Sequence, residues 1–158
     1  METRHARSGT TRPRKDPLAF SDTVVSSTKG AELMARALRH EDRGDLAAAR
    51  ALYRKVAELE EMAALALAEC ARLERSLEML DLAIVSLTEA LHHCVDDAEQ
   101  SCAIYVELGD VHAQRGDYEE ASYFYRRAMR YDPSRSEVRS RFRTASRLSF
   151  LPGFERSA

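Results

Sequence analysis

The chain has 158 residues, a formal net charge of −2 and an apolar share of 44%. That length suits one domain with a sizeable core, and no apolar run is long enough to span a bilayer. Three cysteines at irregular spacing, without a Cys-x-x-Cys pair, give no disulfide framework. The N-terminus lacks the apolar stretch of a secretory signal, and together these features point to a reducing, cytoplasmic setting. Arginine far outnumbers lysine, and asparagine is absent.

Residues 1–28 are polar, carry Pro13 and Pro17 and show no periodicity, so they read as a disordered N-terminal tail. Arg4, Arg7, Arg12, Arg14 and Lys15 make its first half basic. A solvated tail is the plainer reading; an arm for nucleic acid or an acidic partner is the sharper one. Leu18, Phe20, Val24 and Val25 are placed to cover the exposed end of the first helical unit.

That unit spans 30–63. It carries a Gly44-Asp45-Leu46 turn, with Leu33, Ala37, His40, Ala49 and Tyr53 at helical spacing. A second unit, 64–97, follows at a spacing of 34 residues, with Leu67, Ala71, Ala83, Leu87 and Ala90 at the matching places. Its turn, around Ser76 to Met79, has no glycine. No glycine or proline stands between Asp45 and Leu108, which leaves open one fused helix across 46–76.

The third unit, 102–135, is the clearest. Tyr105, Leu108 and His112 share one helix face, and Ala121, Phe124, Tyr125 and Ala128 share another, on either side of a Gly116-Asp117 turn. Gly109, Ala121 and Ala128 are small enough to let the two helices approach closely. Asp117 with Glu120 reads as a capping box, and Pro133 stops the second helix. This unit starts four residues later than the period requires. Asp97 with Gln100 reads as another capping box, so the insertion is an extra turn at the front of its first helix. Ser134 with Glu137 repeats the box pattern, and Val138, Phe142, Ala145 and Leu148 line one face of a closing helix over 134–148. Residues 149–158 read as a frayed tail whose Phe150, Leu151 and Phe154 pack on that last helix.

Residues 102–135 resemble the tetratricopeptide repeat. With Cys102 as position 1, the signature slots fall on Tyr105, Leu108, Gly109, Ala121, Tyr125, Ala128 and Pro133, with His112 in an aromatic slot. The two earlier units fit the same slots less fully. The resemblance implies an all-α, right-handed α-solenoid of three helix-turn-helix repeats with a C-terminal capping helix, over residues 29–148. An array of this kind needs the capping helix because a stack of repeats leaves an apolar face at its end. It also implies a concave groove lined by the first helix of each repeat. Carried over to this chain, the groove residues are Met34, Leu38, Glu41 and Asp42 in the first repeat, Leu65, Arg72 and Arg75 in the second, and Val106, Asp110 and Gln114 in the third. Family members that hold the acidic C-terminal tails of heat-shock chaperones use a clamp of Lys, Arg and Asn. The corresponding slots here are Met34, Leu38, Glu69, Ala103 and Glu107, none of them basic, so such tails are not expected as partners.

No cofactor, catalytic or metal site is expected. His92, His93, Cys94 and Cys102 cluster in sequence, but adjacent histidines point to different sides of a helix and no tight zinc pair is present. No phosphate loop or nucleophile elbow occurs. Acids dominate from Val56 to Glu120 and bases from Arg126 to Arg147, which allows self-association; nucleic acid and membrane are not expected. The leading functional reading is a protein-protein interaction module, adaptor or co-chaperone-like, that holds a peptide or helix of a partner in the groove. The alternatives are a helical hairpin resembling the microtubule-interacting-and-trafficking domain, over about 30–95, and a self-assembling structural subunit. Whether 46–76 forms two helices or one separates the hairpin from the repeat array.

Overall fold

A computed structural model describes residues 17–94 and 97–151. Seven α-helices follow one another: α1 (Pro17–Asp42), α2 (Leu46–Ala57), α3 (Ala63–Ser76), α4 (Leu80–His93), α5 (Ala98–Arg115), α6 (Tyr118–Tyr131) and α7 (Ser136–Ser149), with a single 3₁₀ turn at Glu60–Met62. Each helix packs chiefly on its neighbours along the chain, most extensively within the pairs α1/α2, α3/α4 and α5/α6. This is the all-α solenoid expected from the sequence: three antiparallel pairs, α1/α2, α3/α4 and α5/α6, closed by α7. Residues 46–76 form two helices broken at Glu58–Met62, the outcome that separates a repeat array from the hairpin.

Helix α1 begins at Pro17, so residues 17–28, read from the sequence as tail, form helix instead. Pro17 suits a first helical position, where its missing N–H leaves no bond unmade. The basic stretch 1–16 and Phe154 lie outside the described residues, as do the side chains of Leu18, Phe20, Val24 and Val25.

One device makes the turn within each of the three helix pairs. At the first, the Gly44 N–H donates to the Glu41 carbonyl at 2.8 Å and the Asp45 N–H to the His40 carbonyl at 2.9 Å. At the third, the Gly116 N–H donates to Ala113 at 3.1 Å and the Asp117 N–H to His112 at 2.9 Å. These are paired C-terminal bonds that need a left-handed residue after the helix, and Gly44 and Gly116 supply it at φ 77° and 88°. The second turn, the one without a glycine, has the same bonds: Glu78 N–H to Arg75 at 3.1 Å and Met79 N–H to Glu74 at 2.8 Å. Glu78 takes the glycine's place, at φ 58°.

Capping divides into one success and two corrections. Asp97 caps α5, accepting from the Gln100 N–H at 2.9 Å, so the extra turn stands where expected. Asp117 precedes α6 but makes no capping bond; its carboxylate is taken by the Arg115 guanidinium instead. Ser134 does not cap α7: Arg135 holds that position, and the Ser134 hydroxyl donates to Asp132 at 2.6 Å. In both cases a charged or nearer partner outcompetes a neutral backbone N–H.

The core runs through the array in two clusters. The larger joins Leu67, Leu87, Tyr105, Leu108, Tyr125 and Val138; the smaller joins Ala37, Leu52, Tyr53 and Leu73. Gly109 is where α5 and α6 touch most closely: a Cβ there would lie 2.5 Å from Tyr125 Cε1. Between α2, α3 and α4 the wholly buried Glu74 accepts from Arg50 Nε at 2.7 Å and Ser86 Oγ at 2.6 Å. A buried carboxylate needs such partners to offset its lost hydration. At the far end α7 covers the third pair with Val138 and Ala145. Phe150, expected to pack on it, is 86% exposed.

Candidate functional site

The first helix of each pair contributes to one shared face, and ion pairs tie those helices together across it. Arg72 of α3 reaches Glu41 of α1 at 2.6 Å and Glu69 of its own helix at 2.9 Å. Arg75, one turn on, reaches Glu107 at 3.4 Å and Asp110 at 3.5 Å on α5. Arg141 of α7 meets the same Asp110 oxygen at 2.6 Å. Two tyrosines back the ladder from the second helices: Tyr53 of α2 donates to Glu41 at 3.2 Å, and Tyr125 of α6 donates to Asp110 at 2.7 Å. Burial, with the Glu41 charge beside it, pushes the Tyr53 phenol up to about 12. Burial and the bond to Asp110 push Tyr125 up as well, so both hydroxyls stay protonated and donate. Burial pulls the Arg72 guanidinium down, but the Glu41 and Glu69 carboxylates outweigh it and hold it above its ordinary value. Half-exposed pairs of this kind contribute about 0–1 kcal/mol each. Their larger effect is geometric: Arg72, Arg75 and Arg141 are committed to this chain's own carboxylates.

The expected groove residues fall into three groups. Glu41, Arg72, Arg75 and Asp110 come together in the ladder. Leu38 and Leu65 stand 50% and 45% exposed, Met34 is half-buried, and Asp42 and Gln114 are exposed near the ends of α1 and α5. Val106 is a correction: it is 9% exposed and belongs to the larger core cluster, because α5 is enclosed by neighbours on both sides. The sequence reading missed Tyr53, Tyr125 and Arg141 as ladder members. Tyr53 and Tyr125 occupy the same signature slot in their repeats, a regularity that could have been read; Arg141 depends on how α7 docks.

Other chemistry is sparse. Among the described residues, no group of three or more His, Cys, Asp or Glu is placed to hold a metal ion, and no helix is long and apolar enough to cross a membrane. Cys70, Cys94 and Cys102 are free and buried, and burial pushes each thiol up, away from the reactive thiolate.

A shared face built from the first helices of stacked antiparallel pairs defines a helical repeat array, and comparison with known proteins gives the kind. Residues 102–135 match the tetratricopeptide repeat family model. Among solved structures, the chain is similar to the first TPR of Spaghetti (RPAP3) bound to the HSP90 peptide SRMEEVD, with 18% identity and a TM-score of 0.66 over 77% of this chain and 93% of that one. No curated protein matches the chain significantly in sequence. The third helix pair thus matches the tetratricopeptide repeat model, and the array shares the fold of that solved TPR domain.

Proposed function

We propose that this array is a non-enzymatic protein-interaction module, adaptor or co-chaperone-like, that holds a peptide or helix of a partner against the face formed by α1, α3 and α5. The observation that carries this is the exposure of Leu38 and Leu65 on a face whose neighbouring charges are already paired with one another. What the face offers a partner is apolar contact between fixed polar rails, which suits an extended or helical segment with apolar anchors. The test is a Leu38→Glu/Leu65→Glu variant. Both side chains are about half exposed and outside the two core clusters, so the fold is expected to persist by circular dichroism. A partner segment found by affinity capture, then titrated calorimetrically with purified protein, is expected to bind the variant at least about tenfold more weakly, the scale of one lost hot spot. Equal binding overturns the groove reading.

The similar solved domain holds an acidic chaperone tail, which makes that class of peptide the first to test and gives the expectation against it no support. The side chains argue the other way. Met34, Leu38, Glu69, Ala103 and Glu107 offer no base at the clamp slots, and Arg72 and Arg75 are engaged by Glu41, Glu69, Glu107 and Asp110. An incoming carboxylate has to break those pairs and stand beside Glu69 and Glu107. Our reading keeps such tails outside the partner set. Fluorescence anisotropy with labelled SRMEEVD decides: absence of saturable binding below millimolar peptide upholds the reading, and tight, salt-sensitive binding overturns it.

A further inference from the structure

Among the described residues, the half-buried arginines follow a rule with one exception. Arg50, Arg54, Arg72, Arg75 and Arg135 each meet a carboxylate within 4 Å. Arg127, on α6, is equally half-buried and meets none among the described residues. Its guanidinium instead lies over the ring of Tyr105 at 5.1 Å and near that of Tyr123 at 5.8 Å. Its terminal nitrogens donate to the hydroxyls of Tyr105 at 2.8 Å and Tyr123 at 3.3 Å. Tyr131, one turn further along α6, stacks on Tyr105 at 5.7 Å between centroids. A guanidinium has five N–H donors, and two bonds to neutral hydroxyls leave Arg127 with donors and its full charge to spare. The tyrosines fix its orientation without neutralising it.

Beside it, Arg127, Arg130 and Tyr131 line a recess of about 200 Å³ with no acidic residue among its described lining residues. Arg130 is exposed and makes no ion pair among the described residues. Tyr123 and Tyr131 are 44% and 46% exposed, so the recess is flanked by open aromatic faces. A second recess, on the other side of Tyr131, carries Glu99 and Asp132, and there Asp132 takes the nearest arginine, Arg135, at 3.3 Å. Charge therefore assigns an anion to the first recess and repels one from the second. The location is distinct from the concave face. At 100° per residue, Tyr105 points away from Ala103 and Asp110 on α5, so Arg127 and Tyr131 sit behind the ladder.

We propose that the outer face of α6, formed by Tyr123, Arg127, Arg130 and Tyr131, is a second docking site, which takes an acidic segment of a protein partner. A side-chain oxyanion, carboxylate or phosphate, sits in the recess between Arg127 and Arg130, and an aromatic or apolar neighbour of that residue lies against Tyr131 or Tyr123. Charge complementarity selects the occupant: two cations without acidic partners among the described residues, one of them held by aromatic rings, match the geometry by which arginine pairs recognise acidic and phosphorylated motifs. The oxyanion's source is left to experiment.

The test uses the full chain and two fluorescein-labelled peptides, one of alternating Glu and Phe and one in which a central Glu is replaced by phosphoserine. Saturable binding of either peptide, weakened about tenfold or more by Arg127→Gln/Arg130→Gln and unchanged by Leu38→Glu, supports the proposal, tenfold being the scale of a lost charge-assisted contact. The stronger of the two peptides names the source of the oxyanion. Arg127→Lys keeps the charge but loses the planar fork, and is expected to weaken binding less than Arg127→Gln. No binding of either peptide below millimolar concentration, or binding that ignores Arg127→Gln/Arg130→Gln, overturns the proposal. So does tighter binding of a thymidine oligonucleotide through the same arginines, which would mark the face as a nucleic-acid platform.

Discussion

Replacing Glu78 by glycine should make this protein more stable, although it removes a side chain from a helical array. Glu78 is the residue that takes the left-handed conformation in the turn between α3 and α4, at φ 58°, where the equivalent turns use Gly44 and Gly116. A residue with a Cβ forgoes roughly 1–2 kcal/mol in that conformation. Glycine gives back about 0.4–1 kcal/mol through its greater freedom in the unfolded chain. Glu78 is exposed and makes no ion pair among the described residues, so no contact is lost. The net expectation is a gain of about 0.5–1 kcal/mol. For a chain of this size it corresponds to a rise of about 1–4 °C in Tm, and to a higher urea midpoint at unchanged slope. Gly116→Ala is the matched control. Nothing lies within 4 Å of the added Cβ, so its expected loss of about 1 kcal/mol is purely conformational. A Glu78→Gly protein that is neutral or less stable, alongside a Gly116→Ala protein that loses stability as expected, would refute the claim that backbone conformation governs this turn.

Gly109→Ala should destabilise, in contrast to most glycine-to-alanine changes in helices. Its Cβ would meet the Tyr125 ring at 2.5 Å, and that ring is pinned by the 2.7 Å bond to Asp110. An overpacking cost of about 1–3 kcal/mol outweighs a helix-propensity gain of about 1; equilibrium denaturation showing a more stable protein would contradict this. Stability should also fall in mild acid through His112. Burial, then the charge of Arg115, lowers its folded pKa below the usual 6.5. Asp117, 3.7 Å away, and Glu120 pull in the opposite direction, but Asp117 is already committed to Arg115. The folded state thus prefers the neutral imidazole. The contribution of His112 is complete above the unfolded pKa of about 6.5 and is lost as pH falls toward the lower folded value. Thermal melts between pH 5 and 8 should show that slope in the wild type and a flatter one in His112→Phe; parallel curves would rule the assignment out.

The repeat units were legible because each rests on a local, periodic signal. Glycine before aspartate marked two turns, alanines marked the close approaches, and a 34-residue spacing tied the two weaker units to each other, with the strong one following four residues late. Asp97 could be read as a cap because its carboxylate does take the Gln100 N–H three residues on. Asp117 and Ser134 could not, since Arg115 and Asp132 take them through contacts that no spacing rule weighs. The turn at Glu78 was hidden for a related reason: the left-handed conformation belongs to the backbone, and an exposed glutamate carries no mark of it. Val106 was misplaced because the groove positions were carried over as a pattern, whereas burial depends on how closely α5 is enclosed.

Arginine shows most sharply where sequence reasoning stops. Arg72, Arg75, Arg127 and Arg141 are one residue type on the surfaces of three helices, and nothing local separates them. The fold does so by placing carboxylates from other helices against three of them and tyrosines against the fourth. A guanidinium already paired to Glu41 or Asp110 can exchange its partner for an incoming anion only at the loss of an existing bond, so its net affinity for that anion is small. One held by Tyr105 and Tyr123 loses nothing comparable when an anion arrives. On that reasoning the two faces of this array should differ in kind. On the function proposed above, the face of α1, α3 and α5, charged yet electrostatically self-satisfied, would select by apolar shape. The outer face of α6, with fewer charges, is the one that selects by charge. A partner carrying both an apolar helix and an acidic segment could engage both faces at once, and joining the two segments on one chain would raise its affinity above either alone.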